Sequence, residues 1–116
     1  RDTNSVGLMT TPGCFHAGIY QQALLKAGQT VILQTSEELS DTMLFVERIK
    51  KGDKSQEVKN GLRNIANTLI NRGAEVLIAA CTEFPLVLDR SMFPVPFISS
   101  TEVLAERTVT LALGID

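Results

Sequence analysis

Four short apolar runs, each separated from the next by a longer polar stretch, constrain the fold of this chain more than any other feature. They are Ser5 to Thr10 (SVGLMT), Thr30 to Leu33 (TVIL), Val76 to Ala80 (VLIAA) and Val95 to Ile98 (VPFI). Each is bounded by turn residues and rich in aliphatic or β-branched side chains, the pattern of a buried strand. Pro96 makes the fourth short or puts it at a sheet edge.

The intervening segments have helical spacing. Phe15 to Ala27 places Ile19, Ala23, Leu24 and Ala27 on one face, with Gly28 at its end. Ser36 can cap a helix that carries Leu39, Met43, Val46 and Ile49 on one stripe. Its first turn holds Glu37 and Glu38 and its last holds Lys50 and Lys51, each suited to the helix dipole there. Ser55 can cap another, with Val58, Leu62, Ile65 and Leu69 in line and Gly73 at its end. Gly61 inside it costs about 1 kcal/mol relative to Ala. Pro85 suits the first turn of a short helix, and Asp89 to Pro94 reads as loop. Ser99 and Glu102 have capping-box spacing for a last helix from Thr101 to about Leu113.

Strands alternating with helices predict an α/β fold: a mostly parallel four-stranded sheet with helices on both faces. A chain of 116 residues fits one such domain, residues 1–116, and can bury a real core. It begins without an initiator methionine and enters a strand within a few residues, as expected of a domain cut from a longer protein. A net charge of −2 with no basic stripe argues against a nucleic-acid partner. No apolar run reaches the roughly 20 residues of a membrane-spanning helix, and the polar N-terminus is not a signal peptide. Two cysteines without repeated spacing do not make a disulfide framework, so the expected compartment is the cytoplasm.

In a parallel α/β sheet the ligand crevice lies beyond the carboxyl ends of the strands. The residues there are Thr10-Thr11, Gln34-Thr35, Cys81-Thr82-Glu83 and Ser99-Ser100-Thr101. All four ends are polar and all carry a hydroxyl, which suits a small anionic ligand. Cys81 adds a thiol whose pKa a helix N-terminus would lower, leaving nucleophile, metal ligand, proton acceptor and buried structural cysteine as open readings. Glu83 can orient or exchange a proton with it, or serve only as a first-turn charge. Cys14 and His16 follow the first strand and share this edge. With Cys81 and Glu83 they offer a zinc set or a cysteine–histidine pair, against the plainer reading of a packed Cys14 and an exposed His16. Thr10-Thr11-Pro12-Gly13 can cradle a carboxylate with backbone N–H groups or be a simple tight turn. Neither a Walker A loop nor a dinucleotide-binding glycine motif occurs.

Several segments resemble the aspartate/glutamate racemases. CTEFPLVL (residues 81–88) after RGAEVLIAA (72–80) is similar to their second catalytic-cysteine segment. GLMTTPGCFHAGIYQQALLKAG (7–28) is similar to the opening of their second half, and IKKGDKS and VPFISSTEVLAERTV follow in the family's order. The resemblance implies one of the two similar half-domains of a cofactor-independent enzyme, with the active site between the halves. One cysteine removes the α-proton of an acidic amino acid and the other returns a proton from the opposite face. Carried over residue by residue, Cys81 matches the second-half catalytic cysteine, and Glu83 the neighbouring position that is His in glutamate racemases proper. Thr82 matches a residue holding the substrate α-carboxylate, Thr10 and Thr11 fall on the substrate-side loop, and Lys50 matches a lysine that meets the acidic side chain. The implied partners are an amino-acid substrate, the missing N-terminal half-domain, and a second copy of the protein, since dimers are common among the relatives. No metal is implied.

The chain departs from the pattern in places. Ala80 stands where the family usually has Gly before the cysteine, and Cys14 where it often has Thr. The first-half cysteine and its Asn-Thr neighbours are absent, so this piece alone is expected to be inactive. Two other readings use the same residues: a one-cysteine decarboxylase or cis–trans isomerase of small carboxylates, and a non-enzymatic binding module for acidic amino acids.

Overall fold

The computed structural model describes residues 5–99 of the chain. The expected last helix, with its capping box at Ser99 and Glu102, lies outside the described residues. Four strands, β1 (Ser5–Met9), β2 (Thr30–Leu33), β3 (Val76–Ala79) and β4 (Phe97–Ser99), form one sheet in the order β2-β1-β3-β4. Every neighbouring pair is parallel, with Gly7 opposite Ile32 and Leu77, and Ile78 opposite Ile98. Among the described residues β4 is both short and at the edge, the two readings Pro96 left open, and it starts two residues later than its apolar run suggests. Pro96 keeps its carbonyl in use, accepting from the Leu77 N–H at 2.9 Å.

Strand alternation sends successive side chains to opposite faces. Val6, Leu8 and Ile78 pack with Tyr20, Ala23 and Leu24 of helix α2 (Ile19–Lys26). Met9, Leu77 and Ala79 pack on the other side with Val58, Leu62, Ala66 and Leu69 of helix α4 (Gln56–Asn71), and with Val46 and Ile49 of helix α3 (Ser36–Lys50). Helices therefore cover both faces, as the alternation predicted.

The first helical segment is broken in two. A short helix α1 (Pro12–Ala17) ends at Gly18, whose φ of 71° is left-handed, and α2 starts immediately after it. A glycine can take this conformation without a steric penalty, which lets the chain change direction there. α3 is capped by Thr35 rather than Ser36: Thr35 accepts from the Glu38 N–H and Glu38 accepts from the Thr35 N–H, a full capping box. Ser55 caps α4 as expected, accepting from Val58.

α3 and α4 form an antiparallel hairpin. Near its open end Glu38 accepts from the Arg72 guanidinium at 2.6 Å and the Thr68 hydroxyl at 2.9 Å, while Arg72 also reaches the Leu33 carbonyl of β2. Burial pushes the Glu38 carboxyl up, but its bonds to Thr35, Thr68 and Arg72 outweigh that and hold it below the usual range. At the closed end Arg48 bridges Asp53 and Glu57, each at 2.8 Å.

Midway along the hairpin the Phe45 ring sits over Gly61, so that a Cβ added to Gly61 would overlap the ring. Gly61→Ala is therefore expected to lower stability by about 1–3 kcal/mol through overpacking, although helix propensity alone would raise it by about 1 kcal/mol. A denaturation midpoint above that of the parent protein would refute the close-approach account.

Candidate active site

The strand order creates a topological switch point. β2 lies on one side of β1 and β3 on the other, so the chain leaves β1 and β3 in opposite directions and opens a crevice between their carboxyl ends. The Met9–Ala79 pair closes the ladder, and the Ala80 N–H donates to the Met9 carbonyl at 2.9 Å one step further on. Thr10-Thr11 and Cys81-Thr82 thus emerge side by side at this point, though about 70 residues separate them in the chain.

After Ala80 the chain turns through Cys81-Thr82-Glu83 into a 3-10 turn, Phe84–Leu86, with Pro85 inside it. Phe84 is fully buried and anchors the turn. Cys81 is half-buried, Thr82 exposed, and Glu83 folds back so that its Oε1 accepts from Cys81 Sγ at 3.1 Å and from the Thr82 hydroxyl at 3.3 Å.

The thiol does not behave as a helix N-terminus would dictate. Burial first, and then the hydrogen bond and negative charge of Glu83, push its pKa from 9.0 up to about 11, against opposing backbone bonds from Glu83 and Phe84. One turn of 3-10 helix supplies too little dipole to offset desolvation. Cys81 therefore rests protonated, with its S–H directed at a carboxylate. Because the folded-state value lies above the unfolded one, this group's contribution to stability is lost as pH rises from 9.0 towards about 11.

Removing the Glu83 charge with Glu83→Gln should bring the thiol down. Alkylation of Cys81 by iodoacetamide, followed by peptide mass against pH, should show its inflection falling from about 11 towards the ordinary value of 9.0. An unchanged or raised inflection would mean that burial alone sets the thiol.

The other residues expected at the site are distributed unevenly. Thr11 is half-exposed in the turn after β1. Thr10 is 1% exposed, and its hydroxyl meets no hydrogen-bond partner among the described residues. Its N–H donates to Gln34 Oε1 at 2.8 Å, so it is not free to cradle an anion as the loop's sequence suggested. Lys50 is exposed in the last turn of α3, at the tip of the hairpin. Lys51 lines a groove of about 470 Å³ on the hairpin with Asp41, Leu44, Phe45, Glu47, Arg48 and Glu57. This groove shares no lining residue with the Cys81 turn.

Cys14 packs against the α2 side of the sheet and Cys81 against the α4 side. His16 is exposed and meets the Phe15 ring edge-on. Both cysteines are free thiols, and among the described residues no cluster of His, Cys, Asp and Glu could hold a metal. The zinc arrangement open from spacing alone is thus not assembled. Burial raises the Cys14 pKa as well, in keeping with a packed thiol.

Residues 1–108 match the model of one protein family, described as Asp/Glu/Hydantoin racemase. This chain belongs to the Asp/Glu/hydantoin racemase family. Among curated proteins, it is 29% identical over 107 residues to the broad specificity amino-acid racemase RacX of Bacillus subtilis, covering 92% of this chain and 46% of that protein. It is 28% identical over 110 residues to an uncharacterized protein in the pnlA 3′ region of Pectobacterium carotovorum, covering 93% of this chain and 73% of that one. Its fold is shared with a Yersinia pestis protein assigned as an Asp/Glu racemase, at a TM-score of 0.71 and 24% identity over 95% of this chain and 49% of that chain. It is also shared with the Picrophilus torridus aspartate racemase, at a TM-score of 0.69 and 22% identity over 94% and 45%. The chain thus spans about half the length of the racemases it matches, in keeping with a half-domain of this family.

One feature beside this crevice has no counterpart among the residues expected from the sequence. Gln34 and Thr42 are buried and join the Thr10 turn to α3. The polar Gln34 at the end of β2 was visible as a strand-end residue, but its partner could be found only from the fold.

Proposed function

We propose that residues 1–116 form the second half-domain of a cofactor-independent racemase of acidic amino acids, aspartate or glutamate, and supply one of its two acid/base cysteines. What supports this reading most is Cys81 at the switch point of a racemase-family half-domain, with its thiol hydrogen-bonded to Glu83. The proton that leaves or returns to an α-carbon needs a group held against that carbon, and the carboxylate needs donors where negative charge develops. In this reading Cys81 is the acid on one face. The partner half-domain's thiolate removes the α-proton, the Cys81 thiol gives its proton to the opposite face of the resulting carbanion, and the roles reverse in the other direction. Glu83 keeps the proton on sulfur until substrate arrives. Thr82 and Thr11 hold the α-carboxylate, Thr10 backs Thr11, and Lys50 meets the side-chain carboxylate from the hairpin tip. The free thiols of Cys14 and Cys81 suit a reducing cytoplasm. The whole protein is expected to work as a homodimer, which its solution mass would test.

The test is α-deuterium incorporation. The full-length protein is incubated in D2O with each enantiomer of aspartate and glutamate, and optical rotation is followed. Exchange with inversion supports racemisation. Release of carbon dioxide or double-bond isomerisation would instead favour one-cysteine chemistry, and binding without exchange a sensing module.

A further inference from the structure

The structure contains a buried polar relay that the site just described does not use. The Thr10 N–H donates to Gln34 Oε1 at 2.8 Å, Gln34 Nε2 donates to Thr42 Oγ1 at 2.7 Å, and the Thr42 hydroxyl donates to the Glu38 carbonyl at 2.7 Å. Thr10, Gln34 and Thr42 are 1%, 5% and 0% exposed. A buried polar chain of this kind is tolerated because each link is satisfied, and a missing link leaves a desolvated donor or acceptor.

The relay has one direction. The Glu38 carbonyl can only accept, so the Thr42 hydroxyl spends its proton there and offers a lone pair to Gln34. That lone pair fixes Nε2 towards α3 and Oε1 towards β1. A flipped amide would set Nε2 against the Thr10 N–H and Oε1 against a hydroxyl whose proton is already committed. The backbone at Thr10 is thereby pinned by a contact that originates on α3, and Thr11 is the next residue out.

We infer that Gln34 is a positioning residue of the racemase site, holding the Thr10 amide so that Thr11 faces the substrate carboxylate, with Thr42 setting the orientation of the Gln34 amide. This inference rests on the racemase reading for its kinetic consequence but on the relay alone for its structural one. Gln34 and Thr42 touch no substrate, so their effect is on how well the turn is held. A donor to the carboxylate also meets the charge that develops there as the α-proton leaves, so a loosened turn lowers kcat/KM.

The full-length protein carrying Thr42→Val, Thr42→Ser or Gln34→Leu tests this through amide hydrogen exchange at Thr10 and steady-state racemisation kinetics. Valine keeps the shape of threonine and removes the hydroxyl, whereas serine keeps the hydroxyl. Thr42→Val is expected to speed Thr10 exchange and lower kcat/KM for racemisation by about 10- to 100-fold each, and Thr42→Ser to restore both. Gln34→Leu should do the same if it folds; if it does not, Thr42→Val decides. A folded Thr42→Val protein with parental Thr10 exchange, or with faster exchange and parental kcat/KM, would overturn the inference. Absence of α-proton exchange in the parent protein would instead sink the racemase reading, and Thr10 exchange would still show whether the relay pins the turn.

Discussion

Cys81→Ser in the full-length protein is expected to cut α-proton exchange by roughly 10²–10⁴-fold, the usual contribution of a positioned acid or base. Serine retains the shape and a hydrogen bond to Glu83, but an alcohol is far less able than a thiol to trade a proton with a carbanion and recover it. Cys81 is only half-buried, beside a core in which its sulfur is one contact among many. The variant should therefore melt close to the parent, which separates lost chemistry from lost structure. Exchange measured by NMR in D2O and thermal unfolding together decide the matter. Full exchange in Cys81→Ser would remove the thiol from the mechanism. The same substitution at Cys14, which packs on the opposite face of the sheet, should leave exchange largely intact.

Phe84→Ala should produce the largest loss of stability close to the site. Phe84 is 0% exposed and packs in the core formed with α4. Its carbonyl accepts from the N–H groups of Val87 and Leu88 at 3.1 and 2.8 Å, so the ring and the backbone together set the turn that carries Cys81. Truncation of a fully buried phenylalanine costs about 3–5 kcal/mol, expected here as a fall in melting temperature of roughly 10 °C or more. Activity should fall further than stability accounts for, because the Phe84 N–H is one of the two backbone donors directed at Cys81. Phe84→Leu, which refills most of the volume, should recover most of the melting temperature. A Phe84→Ala protein melting with the parent would show that the turn does not depend on this anchor.

Much of the architecture was legible because periodicity is a local property. β2 falls on its apolar run, and α4 begins after its predicted serine cap. Other local signals were present but outweighed. Gly18 fell inside the helix expected from Phe15 to Ala27, although the apolar face of Ile19, Ala23, Leu24 and Ala27 lies wholly beyond it and a glycine is what a left-handed joint requires. Thr35 and Glu38 form a threonine-x-x-glutamate capping box one residue ahead of the serine that seemed to open the helix. Gly61 looked like a tolerated weakness and is a close-approach site, because nothing in its own helix indicates that the Phe45 ring lies over it.

The sequence by itself determined the alternation of strand and helix, hence a parallel sheet with polar strand ends, and put a thiol and a carboxylate behind an apolar run. These follow from side-chain spacing and from the limited ways a short apolar strand can be buried. Only the tertiary structure decided the strand order, which brings Thr10 and Thr11 beside Cys81 at the switch point. It alone decided that the Thr10 N–H is committed to Gln34 and that the Cys81 thiol is pushed up rather than down. Both depend on what surrounds a group once the chain is packed, since burial and the distance to Glu83 set the proton's free energy. The stretch EVLIAACTEFPLVL (residues 75–88) could announce a reactive-looking cysteine, but burial in the folded domain and the Glu83 carboxylate push its thiol up, to about 11, rather than down.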